Sequence, residues 1–441
     1  MKRRLVLAAA VVATGAVTLP SGAHSGHDRN ARAMRFYQPI RVTPELSGGA
    51  DPAVAVDAFG NIVVTAAKDS ATPVVAPDRR GTVPARAASW RLMSVDQGET
   101  WQNLPGGPAG PADGLLPGLE PDVALDGKGT FYVLDGYRAD ASLTRYDSRG
   151  RDRITRGAVS VRPTVRADVR PFVAAHGAGV VLTIAAGDPA NAPAPAGGQP
   201  GTGFGPGRYE VYSSSDGGMG GPVGYPLRDS DVCRPAAEQR AGSKRMVVAC
   251  LDGLGTVFAF LSTDDGETFD RFPVGRYDTR DGSPGVPSAT FAPDGSVHVL
   301  IADPVAFSAT GAPTASRLRL FSSPDGRRWR TRDVTDAPGV YRQPTIAAGP
   351  DGRLGVAAYY RLTPAADWTV VAGSLRPRDR TVYLTSFAHD DPVAPATSAE
   401  PPGTFLSLTW AADRRMHIVW TRVGDAADTG LMTEVWHVRS F

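Results

Sequence analysis

Five charged residues recur at one kind of position in this sequence. Asp51, Glu120, Arg170 and Arg234 each stand directly before a proline that opens a short apolar run, and Arg342 stands two residues before another. A guanidinium meets a carboxylate through two parallel hydrogen bonds, so Arg170, Arg234 and Arg342 held together would grip an acid group. The alternative is a ring of charges that pair with one another and with water. A second set, Asp69, Asp135, Asp188, Asp252, Asp303, Arg361 and Arg422, closes later apolar runs, with Tyr137, Tyr341, Tyr360 and Trp368 close by.

The elements that must position these residues form a repeat. Its copies are DPAVAVDAFGNIVVTA from Asp51, EPDVALDGKGTFYVLD from Glu120, RPFVAAHGAGVVLTIA from Arg170 and RPAAEQRAGSKRMVVAC from Arg234. VPSATFAPDGSVHVLIAD from Val286, QPTIAAGPDGRLGVAAYY from Gln343 and a diverged GTFLSLTWAADRRMHIVW from Gly403 complete seven. Period-2 apolar alternation around a Gly, Asp or Asn centre predicts a hairpin in each. The opening prolines lie about 50 to 70 residues apart, a spacing that suits four-stranded propeller blades. Cys233 and Cys250 flank the fourth hairpin symmetrically and are expected to face each other as a structural disulfide.

A third strand follows the hairpin at 89–93, 209–213, 257–261 and 318–322, and a turn motif follows that strand. SVDQGETW (94–101) returns as STDDGETF (262–269) and more loosely as SSPDGRRW (322–329), with SSSDGGMG (213–220) a decayed copy. The reading assigns Ser94, Asp96, Gly98 and Trp101, then Ser262, Asp264, Gly266 and Phe269, then Ser322, Asp325, Gly326 and Trp329 to one structural turn. The aspartates accept amide hydrogen bonds, the glycines allow positive φ, and the aromatics pack between blades. A calcium loop at 264–267 lacks the spaced ligand series such a loop needs.

These motifs resemble the Asp-box, or bacterial neuraminidase repeat, of sialidase-like β-propellers, over roughly residues 38 to 441. The resemblance implies an all-β propeller of four-stranded blades, seven by hairpin count with six as the alternative. YQPIRVT (37–43) would pair with the C-terminal strand to close the ring. It also implies a sugar carboxylate held by three arginines, for which Arg170, Arg234 and Arg342 are the candidates, with Asp51 and Trp368 beside them. Sialidase chemistry uses a Tyr nucleophile activated by Glu and an Asp acid/base, here Tyr360 (or Tyr341), Glu120 (or Glu210) and Asp135 (or Asp69). The F/Y-R-I-P signature of that family is absent; Arg41 occupies a loosely similar setting.

Strand direction puts the hairpin turns and Asp boxes on one face. The connections at 67–87, 102–119, 188–207, 303–316 and 361–379 then fall on the other, where binding sites are usually built. The start MKRR, an apolar stretch from Leu5 to Leu19 and small residues ending at Ala23 read as a secretory signal peptide. The stretch is shorter than the ~18 to 20 residues of a membrane span. The chain thus divides into a signal peptide (1–23), a flexible segment (24–36) and one propeller domain (37–441). A net charge of +2 without a basic stripe argues against nucleic acid. His176, His298, His389, His417 and His437 lack zinc spacing, and no phosphate loop or nucleophile elbow occurs. The sequence therefore predicts a secreted monomer without cofactor or metal and without a membrane span once matured. Its ligand is an extracellular glycan, bound with exo-glycosidase chemistry or, alternatively, a glycan or protein partner held by a noncatalytic scaffold.

Overall fold

The computed structural model describes residues 33–43, 48–69, 74–75, 82–83, 89–104, 121–137, 140–150, 154–157, 172–176, 179–186, 208–214, 223–227, 232–252, 254–278, 285–335, 338–376, 378–387, 393–395, 398, 401–403, 405–423 and 433–441. Their strands form seven four-stranded antiparallel sheets and one two-stranded ribbon, Val74–Val75 with Thr82–Val83. The first strands of the seven sheets are Gly48–Val56, Asp122–Leu125, Phe172–His176, Val232–Ala237, Ser288–Phe291, Val340–Ala348 and Ser407–Trp410. Each touches the next in chain order, and the last returns to the first. The architecture is a β-propeller, and the sheets are its blades, numbered one to seven in that order.

Residue size fits radial position. First strands carry small residues such as Ala53, Ala55, Ala174 and Ala175, because their backbones crowd around the axis. Second strands read Ile62–Val64, Met246–Val248 and Met416–Trp420, and these are fully buried between neighbouring blades. The larger apolar cores join adjacent blades: Leu300, Leu320, Val356 and Val371 join blades five and six, and Tyr359, Val370, Ile418 and Trp420 join six and seven. Burying a side chain of this size contributes roughly 1.5–3 kcal/mol.

Hairpin turns repeat one device. The Asp57 carboxylate accepts the amides of Phe59 (2.9 Å) and Asn61 (2.8 Å), and Asp126 does the same for Lys128 and Thr130 (both 2.8 Å). Gly60, Gly129, Gly295 and Gly352 then take the left-handed φ that a three-residue hairpin loop requires, and Gly242 takes it in the longer loop of the fourth hairpin. In the diverged seventh hairpin Arg414 occupies that place at φ 68°.

The closing strand is Ile40–Arg41, outermost in blade seven, with Ile40 opposite His437 and Arg41 opposite Trp436 on Thr433–Arg439. The termini thus share one sheet, and Arg41 adds an ion pair to Glu434 at 2.8 Å. Cys233 and Cys250 are directly opposed across Val232–Ala237 and Met246–Leu251 and form a buried disulfide.

Two of the expected connections are strand instead. Residues 369–375 form the third strand of blade six, so that connection shrinks to 362–368. In blade five Val297–Phe307 and Pro313–Ser323 stay paired beyond the first strand, so only 308–312 turns and the rest is an arm rising from the face. The segment 188–207 lies outside the described residues.

Candidate functional site

The two longer Ser–Asp turns have the same geometry. In the first, Ser94 Oγ donates to Asp96 Oδ1 at 2.7 Å, while the amides of Gly98 and Thr100 donate to Ser94 Oγ (2.8 Å) and Asp96 Oδ1 (2.9 Å). Ser262, Asp264, Gly266 and Thr268 repeat this set at 2.7, 2.8 and 3.0 Å. Burial by itself would raise the Asp96 and Asp264 carboxyls, but the hydrogen bonds from the threonines and serines hold both below their usual range. Trp101 stands edge-on to His437 at 5.4 Å, Phe269 is buried against Val211 and Leu227, and Trp329 packs against the core shared by blades four and five. Each aromatic therefore bolts its blade to the preceding one.

The third turn corrects one assignment. Its serine is Ser323, whose Oγ donates to Asp325 Oδ1 at 3.0 Å; Ser322 points elsewhere, 2.9 Å from His298 Nδ1. The turn is one residue shorter, so Gly326 follows Asp325 directly, and the backbone amides of Arg328 and Arg327 hold the Asp325 carboxyl far down.

Of the expected catalytic set, Tyr360 is held inside the core. Tyr360 is 2% exposed; its hydroxyl donates to Pro338 O at 2.6 Å, and burial pushes its pKa up to about 12. A nucleophile needs the reverse, an accessible hydroxyl poised to lose its proton. Tyr341, its neighbour at 5.0 Å, is equally buried. Trp368 offers no sugar-stacking surface: it is 0% exposed, donates Nε1 to Ser398 O at 3.1 Å and lies under the Arg361 guanidinium at 4.5 Å. Asp51 is buried as well, accepting the amide of Phe405 at 3.2 Å, with a left-handed φ of 52° in a register shift of its strand. Glu120 and Arg170 lie outside the described residues, and Asp135 is described only as a member of strand Thr130–Tyr137.

Arg234 and Arg342 sit on the first strands of blades four and six, with blade five between them. Arg234 lies over the Phe172 ring at 5.3 Å, and Arg342 is buried. Phe172 of blade three meets Phe405 of blade seven at 5.4 Å, with Val232 and Val286 in the same cluster. Blades three and seven are not neighbours, so this contact crosses the axis. Phe172, Phe405, Val232 and Val286 thus make an apolar contact across the axis.

A polar cleft, open to solvent, lies further out on this face, between blades four and five. It has a volume of about 550 Å³ and is lined by Arg276, Tyr277, Asp278, Asp303, Pro304, Val305, Arg317 and Arg319. Local structure explains the gathering. The outer strand Asp270–Arg276 starts at a Ser–Asp turn and so delivers Arg276, Tyr277 and Asp278 to the opposite face. On Pro313–Ser323 the alternation of SRLRLF points Arg317 and Arg319 to one side, opposite Asp303 and Asp333 in the neighbouring strands. Asp303, its side chain 4% exposed, receives Arg319 at 2.8 Å and Arg317 at 3.5 Å on Oδ2 and the Asp278 amide at 3.0 Å on Oδ1. The half-exposed Asp333 holds the same two arginines from outside, at 2.7 and 3.1 Å. A buried carboxylate between two guanidiniums holds both in place, a platform of planar donors.

Asp303 was among the residues singled out in the sequence, but Arg276, Tyr277, Asp278, Arg317 and Arg319 were not. The signal for the last two was the i, i+2 pair of arginines on the third strand, matched by RTRD (330–333) on the fourth. Asp252, also singled out, is spent on a turn, accepting the amides of Leu254 and Thr256. Among the described residues no group of three or more His, Cys, Asp or Glu could hold a metal ion, and no helix is long and apolar enough to cross a membrane.

No family model matches the chain, and no curated protein matches it. Among solved structures, a Dyadobacter fermentans protein of unknown function aligns at 14% identity over 92% of this chain and 99% of its own, with a TM-score of 0.48. A mutant alpha-L-arabinofuranosidase from Fusarium graminearum, in complex with an iminosugar inhibitor, aligns at 9% identity over 92% and 98%, with a TM-score of 0.47. The NanB sialidase from Streptococcus pneumoniae aligns at 10% identity over 92% and 70%, with a TM-score of 0.45.

Proposed function

We propose that this protein is a secreted, seven-bladed propeller that binds a glycan in the cleft between blades four and five and does not hydrolyse it. The observation that carries the reading is the Asp303 platform, a buried carboxylate fixing two arginines at the floor of a cavity of about 550 Å³. That volume lies within the roughly 300–1,000 Å³ range of small-ligand sites. Fixed planar groups can donate paired hydrogen bonds to the oxygens of a sugar, and the half-buried Tyr277 supplies an aromatic wall. The cleft opens on the face of the connections between blades, where a rigid scaffold ordinarily presents its ligand.

Binding without hydrolysis is favoured by the placement of Tyr360. Sialidase-type cleavage needs that hydroxyl at the ligand, and here it is bonded inside the core. Because propellers host many unrelated functions, the reading rests on the site and not on the fold.

The test pairs two assays on the mature chain: binding to a broad panel of immobilised oligosaccharides and sugar release from a panel of glycosides. The expected outcome is binding without release, with binding lost in Val305→Trp. Val305 lines the cleft and is 46% exposed, so tryptophan there fills the cavity without touching the ion pairs. Binding to no glycan would leave the protein-scaffold reading, and release of sugar would overturn the noncatalytic assignment.

A further inference from the structure

The hydrogen-bond inventory of the cleft, taken with the glycan reading on which this inference rests, narrows the class of ligand. Its acceptors are largely spent. Asp303 gives Oδ2 to Arg319 and Arg317 and Oδ1 to the Asp278 amide. The Arg276 carbonyl takes a second bond from Arg319 at 3.1 Å, and the Tyr277 hydroxyl is turned away to Asp252 O. Donors remain. Arg276 is exposed at the rim, and its guanidinium meets no other side chain among the described residues. Arg317 places one terminal nitrogen on Asp333 and its buried Nε 3.5 Å from Asp303 Oδ2, which leaves its other terminal nitrogen for a ligand. Among the described residues that line the cleft, Asp278 is the remaining carboxylate, and it has interactions of its own.

A neutral sugar hydroxyl both donates and accepts, so a cleft with surplus N–H groups and few acceptors would leave it half satisfied. An oxyanion only accepts, and it meets two guanidiniums with charge-assisted bonds. We infer that the cleft selects a sugar bearing an oxyanion, a carboxylate or a sulfate ester, seated on Arg276 and Arg317 above the buried Asp303. Hydroxyls next to that group would reach Asp278. The two sources of oxyanion share this chemistry and are separated by experiment.

Calorimetric titration of the mature protein with a uronate oligosaccharide, a sulfated oligosaccharide, their uncharged counterpart and inorganic sulfate tests the inference. At least one acidic sugar should bind about tenfold or more tightly than the uncharged one, a ratio set by the strength of hydrogen bonds to charged groups. Arg276→Ala should remove most of that preference and Arg276→Glu should invert it. Arg276 is exposed, so neither variant threatens folding. Equal affinity for acidic and uncharged sugars, or a preference untouched by Arg276→Glu, would overturn the inference while leaving the glycan reading intact. Sulfate binding without any sugar binding would overturn the glycan reading alone, and silence from all four ligands would overturn both.

Discussion

His417 Nδ1 and His437 Nε2 lie 3.0 Å apart inside blade seven, their rings stacked at 5.3 Å, in the sheet that joins the two ends of the chain. One ring donates to the other, so adding a proton removes the acceptor and places two donors face to face. Burial lowers His417 to about pKa 4 and, with His417 and Arg439 adding to it, holds His437 well below its usual range. Asp413 opposes the shift at His417, while Arg415 and Arg439 reinforce it; Arg439 is itself paired with Glu99 across the seam.

Acid should therefore weaken the closure. Both folded-state values lie below 6.5, so on acidification the unfolded chain takes up protons that the folded one refuses. Stability is full above pH 6.5 and falls from there toward pH 4, by about 1.4 kcal/mol per pH unit for each such histidine. His298, lowered by burial to about 4, adds to the same slope. Thermal melts between pH 7.5 and 4.5 should show this loss, and His437→Gln should reduce it. A melting temperature independent of pH across that range would contradict the assignment.

Gly98 explains a glycine that the turn alone does not. It has φ 92°, and a Cβ there would stand 2.4 Å from the His437 ring of the neighbouring blade. Gly98→Ala should cost roughly 2 kcal/mol or more, combining backbone strain with overpacking of the seam. Gly60 shares the left-handed φ but has no atom within 4 Å of its Cβ position, so Gly60→Ala should cost about 1 kcal/mol. Equal destabilisation of the two by chemical denaturation would remove His437 from the explanation.

Ser322 and Ser323 should respond differently despite adjacency. Ser323→Ala removes a turn bond to the half-exposed Asp325 and should cost little. Ser322→Ala strips the buried His298 Nδ1 of its partner and should cost about 1–3 kcal/mol. Denaturant midpoints of the two variants decide the order.

The disulfide between Cys233 and Cys250 closes a loop of 17 residues within a single hairpin. Replacing both cysteines by alanine should lower stability by about 3 kcal/mol. Both sulfurs are buried, so mild reductant should leave the folded protein's melting temperature unchanged until it unfolds.

The hairpins, the third strands and the terminal pairing were legible because each is a local pattern: alternation, a turn centre, a complementary end. What lay across the ring was not. Phe172 and Phe405 are far apart in sequence, and nothing local announces that they meet over the axis. Tyr360 lies on the strand Leu354–Arg361 and Trp368 in the connection after it, but the direction of their side chains was not legible. The register shift between Arg342 and Thr345 sits beside them, and one residue of shift exchanges the two faces of a strand. Likewise two adjacent serines are indistinguishable in SSPDGRRW until Oγ distances separate them. The cleft itself draws on the outer strand of one blade and the arm of the next, so only Asp303, at a repeat position, could be marked beforehand.

The most direct test of the account is the position of a bound acidic oligosaccharide in a crystal of the mature protein. The account places it between Arg276 and Arg317 over Asp303, with Val305 at its edge. Density for the sugar at the axis, over Arg234 and Arg342, would contradict it and return the function to the mouth of the ring.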